Sequence, residues 1–261
     1  MYPDEIVQKA LKLSQEGWTD REVARRCGVS MGAVQKWRSG TRRRSADPAD
    51  PTSGGIRRRD ACPRCSGLEL DERSYAYLLG LYLGDGHIVH CRKGVYRLEI
   101  ACADAWPGLI EEAAKTVGAV MPISRVGRRR HPGCKLVGSY SKHWPCLFPQ
   151  HGPGRKHERK IELADWQQEI VDVFTEELVR GLVHSDGCRS MNRVRRTVGG
   201  EDRWYEYPRY NFTNESMDIQ RIFTDALDRL GIAWRQMNRK NVSVARREAV
   251  ARLDAFVGPK Y

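Results

Sequence analysis

This chain repeats itself, and the repeat limits what it can fold into more than any other feature. YAYLLGLYLGDG ends at Gly86 and ELVRGLVHSDG ends at Gly187, 101 residues apart. Behind each comes a strand-like segment (96–102 and 207–213), a helical period ending in Gly (107–118 and 216–231) and two short strand candidates. The copies also finish alike, at GPGRK ending in Lys156 and GPK ending in Lys260. Two copies are too few for a stacked solenoid. The expected fold is therefore α+β, with one repeat over residues 73–160 and a second over 161–261.

The repeated segments read as helices that touch. Leu78, Leu79, Leu81 and Leu83 surround Gly80 and Gly84, while Leu178, Leu182 and Val183 surround Gly181 and Ser185. Small residues four apart share one helix face and let two backbones approach closely. Packed that way, the helices end together, and Asp85 and Asp186 stand side by side, each before a Gly expected to stop its helix. Paired carboxylates repel unless a cation lies between them. Oxygen ligands suit Mg2+, whose remaining positions water and phosphate can fill. The plainer reading is a pair of helix-end acids that perform no chemistry; an acid there opposes the helix dipole, so its presence in both copies favours a compensating ion.

Ahead of the repeats, Ile6, Val7, Ala10, Leu11 and Leu13 follow a helical period. Thr19 is placed to cap a helix with Val23 and Ala24 inside, Gly28 to turn the chain, and Ser30 to cap a further helix carrying Val34 and Trp37. Residues 4–39 resemble a helix-turn-helix, and the module is assigned to 1–40. Its last helix would present Ser30, Met31, Gln35, Lys36 and Arg38 to a major groove. A three-helix protein-interaction bundle is the competing reading. Residues 41–60, with Arg triplets at 42–44 and 57–59 and Ile56 as the single large apolar residue, read as a linker of roughly 25 Å reach.

With 45 Lys+Arg against 33 Asp+Glu, the net charge of +12 points to a polyanionic partner such as nucleic acid. A mean hydropathy of −0.62 and the lack of a long apolar run argue against a membrane partner. Acids at Asp4 and Glu5 argue against a signal peptide, so a cytoplasmic location is expected. Eight cysteines are too sparse for a disulfide scaffold. In the 61–72 segment, Cys62 and Cys65 have the spacing of half a zinc site; His143 and Cys146 offer the other half, with Cys134, His151 and His157 as rivals. A redox CxxC pair is the weaker alternative, and Cys27, Cys91, Cys102 and Cys188 read as ordinary thiols.

LLGLYLGDG (78–86) and VRGLVHSDG (179–187) resemble the paired motif of single-chain LAGLIDADG homing endonucleases, over about residues 73–261. The resemblance implies a monomer with internal pseudo-two-fold symmetry, whose two sheets form a saddle on double-stranded DNA. Asp85 and Asp186 would bind the metal, each cutting one strand. The sixth motif position, often Asp in that family, is Leu83 and His184 here. A lysine is implied in each half: Lys156 and Lys260 sit at equivalent ends, with Lys160 a rival. Sheet positions Arg97, Arg128, Arg130, Lys135, Arg189, Arg193, Arg195, Arg209 and Arg235 are candidate DNA contacts, their faces open until the register is known. The expected function is a site-specific DNA endonuclease making a metal-dependent double-strand cut. The alternatives are a helix-turn-helix/LAGLIDADG-type transcriptional regulator that binds without cutting, and an intron-splicing maturase on RNA. No intein-like splice junctions flank the chain.

Overall fold

The structure is a computed structural model that describes residues 2–39 and 62–261. The expected linker 41–60 and its Arg triplets lie outside the described residues. The chain divides into two compact units, Met1–Arg57 and Arg58–Tyr261. Among the described residues no helix is long and apolar enough to cross a membrane.

The N-terminal unit is three helices, α1 (Asp4–Gln15), α2 (Asp20–Cys27) and α3 (Met31–Arg38). Thr19 starts α2 with a capping box: its hydroxyl accepts from the Glu22 N–H (3.4 Å) and its own N–H donates to the Glu22 carboxylate (3.0 Å). Gly28 ends α2 in the left-handed region at φ 65°, and the Ser30 hydroxyl starts α3 by accepting from the Ala33 N–H at 3.2 Å. Val7, Ala10, Val23, Ala24, Val34 and Trp37 fill the centre. Ser30, Met31, Gln35, Lys36 and Arg38 are all exposed, and Arg38 forms an ion pair with Asp20 at 2.8 Å.

The second unit is α+β, built from two copies of one unit. In the first, α4 (Glu72–Asp85) is followed by β1 (Gly86–Cys91), β2 (Val95–Ala103), α5 (Pro107–Val120), β3 (Gly127–His131) and β4 (Cys134–Ser141). A short α6 (Trp144–Leu147) and α7 (Asp165–Val173) lead to the second copy: α8 (Thr175–Asp186), β5 (Gly187–Val198), β6 (Glu201–Thr213), α9 (Met217–Arg229), β7 (Arg235–Asn238) and β8 (Asn241–Val244), closed by α10 (Arg247–Asp254). Each copy makes an antiparallel four-stranded sheet of the same topology, β1-β2-β4-β3 and β5-β6-β8-β7.

α4 is buried at every residue from Tyr75 to Leu83, as expected of a helix apolar on all sides. It crosses α8 through the small residues. A Cβ on Gly80 would meet the Leu178 carbonyl at 2.5 Å, and one on Gly181 would meet the Tyr77 carbonyl at 2.3 Å. Only glycine permits backbones this close.

Gly86 and Gly187 stop their helices as expected, though in an extended conformation (φ −91° and −99°) that opens β1 and β5 directly. They are glycines because a Cβ would strike the backbone one turn back, 2.5 Å from the Tyr82 Cα and 2.7 Å from the Val183 Cα. The β5–β6 ribbon turns at Gly199 and Gly200, whose φ values of 64° and 84° suit a two-residue hairpin.

Candidate functional site

The helix crossing carries α4 and α8 to a common end. Asp85 is the last residue of α4 and Asp186 the last of α8; the Asp186 carboxyl carbon lies 3.1 Å from where a Cβ of Gly84 would stand. Asp85 keeps an exposed edge, yet the protein packed around the helix ends pushes its carboxyl up to about 6. Lost hydration is the main cause and the Asp186 charge adds to it, while Lys156 and Lys260 oppose. Asp186 is also raised by burial, against the pull of Asn214 and the same lysines.

The two ends differ in one respect. Asn214 donates its side-chain N–H to Asp186 at 2.5 Å. Gly86 pairs with Ile100 and Gly187 with Phe212, so the residue matching Asn214 in the first copy is Cys102, a buried thiol. Asn214 escaped the sequence reading because it lies after β6, outside any repeated motif.

Each helix end is capped by a lysine from the end of its own repeat. Lys156 Nζ donates to the carbonyls of Tyr82 (2.6 Å), Leu83 (2.8 Å) and Gly84 (2.5 Å). Lys260 Nζ donates to Ser185 (3.3 Å) and Gly187 (2.6 Å). Burial brings Lys156 down to about 8 and lowers Lys260. All three N–H donors of the Lys156 ammonium are taken up by these carbonyls, and its charge opposes that of the acids. Lys160, the rival lysine, is fully exposed, paired with Glu162 at 2.6 Å and attached to neither helix end. Lys156→Met leaves three carbonyls without their donor and is expected to cost about 2–3 kcal/mol. Urea unfolding checks this, and a loss under about 1 kcal/mol would contradict the capping role.

His184, at the sixth motif position, is no third acid. It is buried against Tyr77, whose hydroxyl lies 2.8 Å from Nδ1, and burial pushes it down to about 4. A cleft of 680 Å³ lined by Lys156, His87, Asp186 and Asn214 opens beside the first helix end, and one of 490 Å³ lined by Lys260, Cys188 and Arg189 beside the second.

Strand register sorts the basic candidates. In the first sheet Leu98, Ile100 and Val137 face the core, so Arg97 faces away with His87 and Arg129. These three converge on buried Glu99, at 3.1 Å (Arg97), 3.0 Å (Arg129) and 3.2 Å (His87). Arg128, Arg130 and Lys135, whose face the sequence left open, take the helix-side face; Arg128 pairs with Glu111 of α5. In the second sheet Tyr210, Phe212 and Val242 are core, which puts Arg209 and Arg235 on the outer face and Arg189 on the helix side, held by Asp254 of α10 at 2.8 and 2.9 Å. Arg193 and Arg195 share the face of Arg189, but they sit where β5 and β6 run on as a two-stranded ribbon, and both are exposed there; Arg193 lies 4.4 Å above the Trp204 ring. On the ribbon's other face Arg196 pairs directly with Arg203. Arg129, Arg196 and Arg203 were missed because alternation alone cannot say which phase faces out.

Cys62, Cys65, His143 and Cys146 converge, with one ligand atom of each within 4.8 Å of the others. The rivals Cys134, His151 and His157 stand outside that group, and Cys134 instead contacts His131.

The family model of a homeodomain-like domain matches residues 4–49. No curated protein matches the chain. Among solved structures, the chain is similar to I-DmoI in complex with DNA and Mn, at 15% identity and a TM-score of 0.49, covering 73% of this chain and 99% of that one. It is similar to the LAGLIDADG meganuclease I-AabMI bound to uncleaved DNA at 10% identity and a TM-score of 0.44, covering 70% and 82%. For the homing endonuclease I-WcaI bound to its DNA recognition sequence the values are 13% and 0.44, covering 74% and 84%.

Proposed function

We propose that this chain is a site-specific DNA endonuclease that makes a divalent-metal-dependent double-strand cut as a monomer, each half serving one strand. The observation that carries this reading is the meeting of Asp85 and Asp186 at the ends of two equivalent helices, each capped by its own lysine. The raised carboxyl of Asp85, caused first by lost hydration and then by the Asp186 charge, marks a carboxylate that a bound cation would stabilise. Hard carboxylate oxygens beside open clefts fit Mg2+, and Asp85 and Asp186 would hold it. Bound there, Mg2+ would activate water and offset charge developing on a phosphate.

The chain's own residues do the rest. Lys156 and Lys260 fix the helix ends and oppose the carboxylates' charge. Asn214 orients Asp186. Arg97, Arg129, Arg209 and Arg235, on the outer sheet faces, supply charge and donors for phosphates and base edges. The Ser30, Met31, Gln35, Lys36 and Arg38 face of α3 adds a separate major-groove contact. Arg128, Arg130, Lys135 and Arg189 belong to the helix side and lie outside this surface.

The test is selection of bound duplexes from a random pool by the full chain, followed by incubation with Mg2+ or with EDTA. Cuts in both strands at one site, in Mg2+ alone, are expected. Tight, specific binding without cuts would favour the regulator, and preference for structured RNA would favour the maturase. Within the selected site, Arg209→Ala should weaken binding and lower the salt slope by about one, whereas Arg189→Ala should not.

A further inference from the structure

A second constellation is linked, through Arg64, Trp166 and Leu147, to Tyr75 in the first turn of α4, at the opposite end of that helix from Asp85. Cys62 and Cys65 lie on the turn that opens the second unit's described residues, while His143 and Cys146 flank the start of α6. The two pairs are far apart in sequence, Cys65 and Cys146 being separated by 81 residues, yet their sulfurs lie 3.4 Å apart and Cys146 Sγ lies 3.8 Å from His143 Nδ1. All the cysteines here are free. We infer that these four side chains hold one structural Zn2+ that clamps the opening turn to α6.

The chemistry selects the metal. Three sulfurs and an imidazole nitrogen are soft donors that suit Zn2+ and are poor ligands for Mg2+ or Ca2+. Zn–S bonds of about 2.3 Å in a tetrahedron set the sulfurs about 3.8 Å apart, so the Cys65–Cys146 pair at 3.4 Å and a group within 4.8 Å overall need only small side-chain adjustments. Four protein ligands leave no open position, which makes the site structural rather than catalytic.

The protein around the group is already shaped for it. The turn is held by the Ser66 N–H donating to the Cys62 carbonyl (3.0 Å) and by the Cys62 N–H donating to the Ser66 hydroxyl (2.6 Å). The Arg64 N–H donates to Cys62 Sγ at 3.4 Å, the kind of hydrogen bond that stabilises a metal-bound thiolate. Arg64 also lies 4.4 Å above the Trp166 ring, which packs on Tyr75; the Tyr75 hydroxyl donates to the carbonyl of Leu147, next to Cys146, at 2.5 Å. The clamp therefore braces the first turn of α4, about 15 Å along the helix from Asp85. This inference is independent of whether the chain cuts DNA.

Elemental analysis of the full chain purified without added metal tests it, together with thermal melts and Co2+ substitution. One zinc per chain is expected in the wild type. Cys65→Ser and Cys146→Ser should each lose it and melt at least about 5 °C lower, while chelation should lower the wild-type Tm by a similar amount. Co2+ added to the stripped chain should give the visible bands of a tetrahedral thiolate site, absent in Cys65→Ser. A wild type without zinc and without the Co2+ spectrum, or a Cys65–Cys146 disulfide found by mass spectrometry, would overturn the proposal.

Discussion

Asp85→Asn and Asp186→Asn are each expected to lower double-strand cleavage of a bound site by about 10³-fold or more while leaving affinity within about tenfold. On the proposed function, removing one carboxylate would disable the metal-assisted step, whereas most of the binding energy would come from charges spread over the outer sheet faces and α3. The same change should stabilise the fold. The Asp85 carboxyl is pushed up to about 6 from an ordinary 3.8, so between these values the folded state holds its proton more tightly than the unfolded chain does. Stability therefore falls as pH rises through that window, and the full penalty is present above about 6. Asp85→Asn removes the penalty and should gain about 1 kcal/mol at pH 8, a figure kept small because the carboxyl has an exposed edge; the gain should vanish below pH 4. Mg2+ should stabilise the wild type and not the variant, and its affinity should weaken as pH drops through about 6. Urea unfolding at the two pH values, with cleavage assays alongside, measures all of this. Wild-type cleavage in either variant would sink the two-acid proposal.

Gly80→Ala is expected to destabilise the second unit by about 3 kcal/mol or more, although alanine is the better helix former by about 1 kcal/mol. The new methyl would stand 2.5 Å from the Leu178 carbonyl, 2.7 Å from the Leu182 nitrogen and 2.8 Å from the Gly181 Cα. All three are backbone atoms on α8, and no rotamer change can move them. The helices must separate, and the acids at their ends with them, so cleavage should fall too. Gly118→Ala, inside α5, is the control: its nearest contact is the Val126 Cγ2 at 3.6 Å, an ordinary distance, and it should be neutral or stabilising. Equal unfolding midpoints for the two variants would mean that the α4–α8 crossing is looser than described.

Much of the architecture could be read from the chain because it is written in short-range patterns. Thr19 with Glu22, Gly28 and Ser30 specify the N-terminal helices through hydrogen bonds and φ values set within four residues. The small residues at 80, 84, 181 and 185 specify a close helix crossing because helical periodicity puts them on one face. From that face alone it followed that Asp85 and Asp186 would meet. The zinc candidates were partly legible for a similar reason: CxxC and HxxC each bring two ligands to one side of a turn or helix, though only the fold could join pairs so distant in sequence.

Other features depended on distant partners. A strand shows alternation but not its phase, and one step of register exchanges every side chain between faces, which is why the side taken by Arg128, Arg130, Lys135 and Arg189 stayed open in the sequence and Arg129 was missed. The sequence placed Lys156 and Lys260 at equivalent ends of the repeats, but the carbonyls they cap lie more than 70 residues earlier. The motif glycines 86 and 187 read as helix stops and are, but the reason each must be glycine, clearance from the preceding turn, is visible only in three dimensions. Local propensity and periodicity act over a few residues and so appear in the sequence; register, capping from afar and charge coupling between Asp85 and Asp186 exist only once the whole chain has packed.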